Sequence, residues 1–376
     1  MPITRFKFTD KKENWHLEET FFDNLNLLLG ISGVGKTKIL KALEFVCQVA
    51  TESKCKLNGE AWEIGFKYAG QEYQWKFESS LVKPNFSHFA QPKQSSILFE
   101  EVVKKEGDKS TTLLKRNDSS FLLNNEEIPA LRQNESAINL LSQIETIRPI
   151  HQAFKRVIVS EIIQEKHVGS RMNPQSNHVE PPIGLEQFKE NSIKLPTVAK
   201  AYWLQQQYPD EFDKIKQEFT SIFTTVEDIK VNLTKEAGGI YEFSVNLKEK
   251  TSEKWISQWQ MSAGMFRTFA HLIEITMAPE ESVIVIDELE NGLGTNCMPG
   301  LTDFILNKTS HLQVILTSHH PYLIRHIHEK RWKLVKRKGG QVSVINALDI
   351  PQLQTDEGVD KFIRLTSLPE YEGGIS

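Results

Sequence analysis

One eight-residue stretch has the composition and spacing of a phosphate-binding loop. Residues 30–37 read GISGVGKT and fit the pattern G-x-x-x-x-G-K-[ST] in full. The glycines allow backbone N–H groups to curl around phosphate oxygens, and the start of a helix adds the positive end of its dipole. We expect Lys36 to reach the β- and γ-phosphates of a nucleoside triphosphate and the Thr37 hydroxyl to bind Mg²⁺. The other candidate phosphate contacts in the loop are Gly30, Ser32, Gly33, Val34 and Gly35.

An acidic pair supplies the carboxylate that such a loop needs for its metal ion. Asp287 and Glu288 follow the apolar run Val283–Ile286, which predicts a buried strand. Parallel sheets bind ligands at the carboxyl ends of their strands, where a phosphate loop also lies. We expect Asp287 to bind Mg²⁺, directly or through water, and Glu288 to act as general base on the attacking water.

A histidine follows another predicted strand. His319 comes just after the run Gln313–Thr317, and two interpretations remain open. It could hydrogen-bond the γ-phosphate and sense its loss, or it could be a surface histidine at a strand end. A metal site among the histidines of residues 319–328 is disfavoured, because only Glu329 lies beside them and no cysteine is near.

A fourth motif, MSAGMFRT at residues 261–268, opens an apolar helical pattern. Ser262 suits the N-cap of that helix, and its hydroxyl and the Gly264 N–H would face an anion beyond the helix start. Taken alone, the motif is better explained as an ordinary serine cap.

These motifs require a parallel sheet flanked by helices. A strand over 24–29, the loop and a helix from residue 35 or 36 form the required strand–loop–helix unit. Further strands are predicted over 3–8, 283–286 and 314–316. Antiparallel hairpins are predicted over 57–79, over 96–103 with 111–116, and over 229–247, and an edge hairpin over 332–345. Helices are predicted over 130–144, 149–163 and 209–223, and a long loop over 166–196.

Composition agrees with a folded, water-exposed chain. The 376 residues are 39% hydrophobic and 25% charged, with a net charge of −4, so no global field draws the chain to nucleic acid or anionic lipid. No apolar run is long enough to span a membrane. The three cysteines are widely spaced, which favours reduced thiols. These features predict a cytoplasmic protein without a membrane partner.

The order of the four motifs resembles that of ABC-type ATPase heads. GISGVGKT, SAGMFR, VIVIDELENGL and ILTSHHP correspond there to Walker A, signature, Walker B with D-loop, and switch histidine. The chain is most similar to the RecF, SMC and OLD group, and within it to an AAA family of prokaryotic antiphage-defence and toxin-like operons. The specific resemblance covers about the first 45 residues and the last third.

The resemblance implies an α/β P-loop NTPase fold: an ABC-type head with an antiparallel β subdomain and an inserted helical segment. It divides the chain into an N-terminal part of the head (1–129), a helical insert with a mobile loop near 166–196 (130–224), and a C-terminal part of the head (225–376). In such heads the signature of one protomer completes the ATP site of another. Ser262 and Gly264 would then contact the γ-phosphate in trans, with Asn291 at the dimer seam.

Two departures from the family pattern matter. No glutamine stands out as the Q-loop metal ligand, and Gln133 is the best candidate. OLD proteins also carry a Toprim nuclease with an acidic cluster, and the 57 residues after His319 (376 − 319) hold no such cluster. We therefore expect an ATPase without that nuclease.

Two functions remain open. The first is a regulatory ATPase of a defence module, which binds ATP and Mg²⁺, forms a homodimer or higher oligomer through head-to-tail ATP sites, and controls a separately encoded effector. The second is a RecF- or SMC-like DNA-binding ATPase of repair or recombination, whose phosphate contacts would come from the basic residues of 330–338. A transporter subunit fits less well, because the antiparallel insert is long.

Overall fold

The computed structural model describes residues 1–82, 95–160, 170–172, 184–235, 241–353, 361–368 and 371. These residues form two compact units. Unit 1 comprises 1–157, 281–287 and 313–376, and unit 2 comprises 158–280 and 288–312. The proposed division at residues 129 and 224 stays a prediction. None of the helices in the described ranges is both long and apolar enough to cross a membrane.

Fourteen strands of the described chain form one mixed sheet, in the order β10-β15-β16-β3-β17-β18-β2-β1-β4-β5-β6-β7-β8-β9. Their bounds are β1 Ile3–Asp10, β2 Trp15–Phe21, β3 Leu25–Leu29, β4 Glu60–Tyr68, β5 Gln71–Ser79, β6 Ile97–Glu106, β7 Lys109–Arg116, β8 Phe121–Leu123, β9 Glu126–Glu127, β10 Val157–Val159, β15 Val283–Ile286, β16 Gln313–Thr317, β17 Trp332–Lys338 and β18 Gln341–Asn346.

The parallel part of this sheet is built from strands without a polar face. β15, β16, β3 and β17 are parallel neighbours, although β3 comes from the start of the chain and the others from its last third. Every residue of β3, β15 and β16 is buried. Such strands are typical of a sheet covered on both faces. They confirm the strands predicted over 24–29, 283–286 and 314–316.

The antiparallel part contains the predicted hairpins. β4 pairs with β5 and β6 with β7. An aromatic core holds this part together: the rings of Trp62 and Phe77 stack with centroids 4.0 Å apart, and Trp75 meets Phe154 edge to face at 5.1 Å. Aromatic pairs of this kind add about 0.5–1.5 kcal/mol each beyond the area that they bury.

Unit 1 also contains three helices before residue 157: α1 Lys36–Thr51, α2 Ala137–Leu140 and α3 Arg148–Lys155. The start of α1 confirms the predicted strand–loop–helix unit. Two helices of six residues each, α9 Pro321–His326 and α10 Lys361–Thr366, lie in the C-terminal part of unit 1. Single 3₁₀ turns occupy residues 329–331, 347–349 and 351–353.

Unit 2 combines a small sheet with five helices in the described residues. The strands are β11 Ser170–Met172, β12 Val226–Lys235, β13 Tyr241–Glu249 and β14 Trp255–Ser257, and the helices are α4 Leu185–Ser192, α5 Thr197–Gln207, α6 Pro209–Ile222, α7 Ala263–Met277 and α8 Met298–Lys308. α6 and the β12–β13 hairpin were predicted from the apolar periodicity. In the core of unit 2, Phe219 of α6 meets Phe269 of α7 edge to face, with ring centroids 6.1 Å apart.

Several element predictions were wrong. The segment 130–144 is a loop followed by the short α2. Of the helix predicted over 149–163, residues 149–155 belong to α3 and are confirmed, residues 157–159 form β10 instead, and residues 161–163 lie outside the described residues. Within the predicted loop over 166–196, residues 170–172 form β11 and residues 185–192 form α4, whereas residues 184 and 193–196 are irregular as predicted. Residues 166–169 and 173–183 lie outside the described residues. The β17–β18 hairpin is not at an edge, because β17 pairs with β3 and β18 with β2.

Candidate nucleotide site

Three neighbouring parallel strands of unit 1 end at the same edge of the sheet. β3 leads into Gly30 and the phosphate loop, β16 leads into Ser318 and His319, and β15 leads into Asp287. The structure therefore brings the loop, the predicted metal carboxylate and the predicted switch histidine to one sheet edge. This is the place where open α/β sheets bind their ligands.

The first loop glycine is required by its backbone angle and by its neighbour. Gly30 has a φ of +148°, and a Cβ there would lie 2.7 Å from the Val335 carbonyl oxygen of β17. At the end of the loop, Gly35 adopts the left-handed conformation at the N-cap of α1, with φ +108°. The pairing of β17 with β3 thus holds the backbone of another strand directly against the loop.

Lys36 closes the loop on itself. Its side chain is buried, and its ammonium group donates hydrogen bonds to the carbonyl oxygens of Gly30 at 2.7 Å and Ile31 at 3.1 Å. The charge is therefore held within the loop that it is predicted to serve. A phosphate anion would replace these neutral acceptors with charged ones, which form stronger hydrogen bonds.

The predicted metal ligands are accessible. Thr37 and Asp287 are both exposed, and the buried Thr317 hydroxyl donates a 2.6 Å hydrogen bond to Oδ1 of Asp287. One or two protein oxygens together with phosphate oxygens and water form the usual protein site for Mg²⁺. The donor set present here fits that ion. Sequence reasoning missed Thr317, although it lies two residues before His319 at the same strand end.

Glu288, the predicted general base, occupies an unusual backbone conformation. Its φ is +48°, in the left-handed region that glutamate rarely adopts, and its carbonyl oxygen accepts a hydrogen bond from the Asn291 N–H at 2.8 Å. Such a conformation costs about 1–3 kcal/mol and is found most often at functional sites. The turn therefore presents an exposed glutamate, whose backbone is strained, immediately after Asp287.

His319 is partly buried, and the neighbouring histidines have structural roles. Nδ1 of His320 accepts the Tyr322 N–H, and Nδ1 of His328 accepts the Lys330 N–H, so both cap short helical turns. Tyr322 also stacks on His326. In the described ranges no three His, Cys, Asp or Glu side chains are grouped to hold a metal ion.

The basic cluster of residues 330–338 is divided between several roles. Lys333 is buried and binds the carboxylate of Asp23 at 3.0 Å. The Arg337 guanidinium donates to the Gly33 carbonyl oxygen of the phosphate loop at 3.3 Å and to the Gly339 carbonyl oxygen at 2.8 Å. Lys330 and Lys338 are exposed. The cluster is thus partly an element of the nucleotide site.

In unit 2, the second group of predicted site residues surrounds the start of α7. The Ser262 hydroxyl accepts a hydrogen bond from the Met265 N–H at 3.1 Å, which confirms the predicted N-cap. A Cβ at Gly264 would lie 3.2 Å from the Gly294 nitrogen, so the helix start is packed against the loop that follows Glu288. A cavity of about 590 Å³ opens beside Ser262 and Gly264. Contact of these residues with a nucleotide stays a prediction.

Polar residues continue along α7 into the interior of unit 2. Arg267 lies against Gly292, whose Cβ would come within 2.8 Å of the guanidinium. Burial, and then the charge of Arg267, lower the pKa of His271 to about 3, so this histidine is neutral in the folded protein. Further along, Glu274 accepts hydrogen bonds from Lys200 and Thr197, each at 2.6 Å.

Gln133 lies elsewhere in unit 1. Its carbonyl oxygen accepts the Ile97 N–H at 2.7 Å, at the start of β6, and six strands stand between β6 and β3 in the sheet. The residue belongs to a loop and not to the helix predicted around it. Its role as a metal ligand stays a prediction that no contact of the described loop supports.

Comparison with known proteins shows the family of the chain. The family described as "AAA domain, putative AbiEii toxin, Type IV TA system" matches residues 25–325, a span that contains the loop, the acidic pair and His319. No curated protein matches significantly in sequence.

Solved structures of SMC heads are similar in outline. A head bound to the C-winged helix domain of ScpA is 12% identical, with 92% of this chain and 97% of that chain covered and a TM-score of 0.47. The head domain from Thermotoga maritima is 11% identical, with 92% and 99% covered and a TM-score of 0.45. A head with an extended coiled coil, bound to the C-terminal domain of ScpA derived from Pyrococcus furiosus, is also 11% identical, with 91% and 95% covered and a TM-score of 0.45.

The phosphate loop between β3 and α1, together with a mixed sheet that has an antiparallel part, makes the fold that of an α/β P-loop NTPase. Because the family match spans most of the chain, the protein belongs to the family described as "AAA domain, putative AbiEii toxin, Type IV TA system", a family of nucleotide-binding ATPases.

Proposed function

We propose that this protein is a regulatory ATPase of a prokaryotic defence module, which dimerises on ATP and controls a separately encoded effector, a nuclease or a toxin. The observation that carries the proposal is the meeting of the phosphate loop, the Asp287–Thr317 pair and His319 at one sheet edge. The family description, which names a toxin and a toxin–antitoxin system, supports the defence context.

In this proposal each residue has a defined task. The loop N–H groups and Lys36 hold the phosphates, and Thr37 and Asp287 hold Mg²⁺. Glu288 accepts a proton from the attacking water, and His319 hydrogen-bonds the γ-phosphate. Ser262 and Gly264 of a second protomer close the site by directing the start of α7 at that phosphate. Hydrolysis removes the anion that joins the protomers, and the dimer then opens.

Nucleotide binding and turnover test the proposal. We expect the wild-type protein to bind and hydrolyse Mg²⁺·ATP, Glu288→Gln to bind ATP without turnover, and Lys36→Ala to lose binding. Lys41→Ala is a matched control, because Lys41 is an exposed lysine of the same helix, outside the phosphate loop. Binding is measured with a fluorescent ATP analogue and turnover by phosphate release. A wild-type protein that fails to bind ATP would exclude the proposed function.

Control of an effector is tested with the product of the neighbouring gene. In the presence of ATP, Glu288→Gln is expected to accumulate as a dimer and to hold that effector in a single activity state. Wild-type protein should move the effector between states as ATP is consumed. An effector whose activity is the same with wild-type, Glu288→Gln and Lys36→Ala protein would contradict this part of the proposal.

A DNA-binding ATPase is the second candidate, because Lys330, Lys338 and the half-exposed Lys336 of the basic cluster remain accessible. Phosphate contacts give a logarithm of affinity that falls linearly with the logarithm of the salt concentration. Replacing these three lysines with glutamine should then reduce that slope. An absence of DNA binding at low salt would leave only the regulatory ATPase.

A further inference from the structure

The predicted metal carboxylate is held by a residue that lies outside the phosphate loop. Thr317 is the last residue of β16, and Asp287 directly follows β15. The two strands are parallel, and Ile286 pairs with Leu316, so the next residues of the two strands, Asp287 and Thr317, lie side by side. The result is the 2.6 Å hydrogen bond from the Thr317 hydroxyl to Oδ1 of Asp287.

The two partners differ sharply in exposure. Thr317 is fully buried, whereas the Asp287 carboxylate lies in solvent. A β-branched side chain in a buried strand has a restricted χ1 angle, so the hydroxyl direction is set before any ligand arrives. A hydrogen bond to a charged oxygen is also stronger than one between neutral groups. An exposed aspartate, which would otherwise sample several rotamers, is thereby held in one of them.

We propose that Thr317 is a positioning residue for the divalent metal ion of the ATP site. It holds Oδ1 of Asp287, so that the other carboxylate oxygen would be available to the metal ion, and Thr37 would supply the hydroxyl ligand. This inference rests on the proposed function, because it requires that Mg²⁺ is bound with ATP at this edge. Removal of a group that orients a metal ligand typically lowers metal affinity or activity by about 10–100-fold.

The position of Thr317 also connects two tasks of the site. The same strand end carries Thr317, which fixes the metal carboxylate, and His319, which lies two residues further on. A displacement of the β16 end would therefore move the histidine and release the carboxylate together. Replacement of Thr317 should affect the dependence on metal more than the binding of nucleotide without metal.

The test compares Thr317→Val, which keeps the shape and removes the hydroxyl, with Thr317→Ser, which keeps the hydroxyl. Mg²⁺ is titrated against ATP hydrolysis and against binding of a fluorescent ATP analogue. We expect the half-saturating Mg²⁺ concentration to rise about 10-fold or more in Thr317→Val and to stay near the wild-type value in Thr317→Ser. Binding of the analogue in EDTA should be equal in all three proteins, and circular dichroism and thermal melting confirm that each is folded.

A double-mutant cycle separates positioning from a general structural role. In an Asp287→Asn background the valine substitution should no longer change the Mg²⁺ dependence, because the oriented carboxylate is already absent. An unchanged Mg²⁺ titration of Thr317→Val, or an equal change in the Asp287→Asn background, would overturn the inference alone. A wild-type protein that binds no Mg²⁺·ATP would overturn both this inference and the proposed function.

Discussion

At the level of single residues, Gly30 is fixed by its own φ angle and by the carbonyl group of another strand. Gly30→Ala is expected to destabilise the protein by about 2–4 kcal/mol for two reasons. The new Cβ would clash with the Val335 carbonyl oxygen, and the φ angle of this position is unfavourable for alanine. Gly107→Ala is the matched control, because Gly107 has a φ of +60° with open space around it. It should cost about 1–2 kcal/mol. Urea unfolding midpoints measure both, and equal shifts would show that the Val335 contact is unimportant.

His271 gives the stability of the protein a defined pH dependence. Its pKa is lowered from 6.5 to about 3 in the folded chain, so between these values the unfolded chain takes up a proton that the folded chain does not. Stability is therefore lost as the pH falls through this window, by up to about 1.4 kcal/mol per pH unit. His271→Leu should flatten this part of the curve. Parallel stability curves for wild-type and variant protein between pH 4 and about 7 would contradict the assignment.

The candidate site could be predicted only where one short segment contains the whole signal. Gly30–Thr37 and the Ser262 cap are local patterns, and both were found from sequence. Thr317 was missed because its role depends on which strand lies beside β16, and the adjacency of β15 is decided 30 residues away. The contact of Arg337 with the phosphate loop was missed for the same reason, since it crosses 304 residues of sequence.

At the level of elements, a buried ion pair joins α5 to α7, the helix that starts at Ser262. Lys200 and Glu274 are 4% and 7% exposed in their side chains, and their charged atoms lie 2.6 Å apart. Lys200→Met should destabilise unit 2 by about 3–5 kcal/mol, because it leaves a buried carboxylate without its cation. Adding Glu274→Leu should recover only part of this loss, since the Thr197 hydroxyl then loses its acceptor.

An exposed pair provides the control for this prediction. Lys214 and Glu211 on α6 also lie 2.6 Å apart, but the lysine side chain is 67% exposed. Lys214→Met should change stability by no more than about 0.5 kcal/mol. Thermal unfolding of the variants measures both effects. Similar losses for Lys200→Met and Lys214→Met would show that burial is not what makes the first pair important.

Elements with strong periodicity were predictable, and those set by distant partners were not. α6 and the β12–β13 hairpin follow from their own apolar spacing. Residues 130–136 of the helix predicted over 130–144 do not form a helix, because the Arg116 side chain binds the carbonyl oxygens of Arg132 and Glu135, and Gln133 binds the start of β6. These bonds to another part of the chain outweigh a modest helical propensity.

At the level of the whole molecule, the proposed function requires two protomers for each ATP site. Ser262→Arg blocks the proposed trans contact and Lys36→Ala blocks ATP binding, so each variant alone should be inactive. A mixed dimer contains one site with both changes and one with neither, so mixing should restore part of the ATPase activity. The measurement is phosphate release from an equimolar mixture.

The control replaces one partner by the double variant Lys36→Ala/Ser262→Arg. Mixed with Lys36→Ala, it can form no intact site, and no activity should return. If mixed dimers of the two single variants form and remain as inactive as their components, the head-to-tail model is wrong. Analytical ultracentrifugation with one labelled variant establishes whether mixed dimers are present.

The place of β3 in the sheet has a consequence for how the chain is made. β3 carries the phosphate loop, yet its two neighbours are β16 and β17, from residues 313–317 and 332–338. During synthesis the five buried residues Leu25–Leu29 therefore have no native strand to pair with until residues 313–338 have left the ribosome. At about 5–20 residues per second this interval lasts tens of seconds. The nucleotide site is thus among the last parts to form, and a nascent chain released early exposes an apolar strand that chaperones would have to shield.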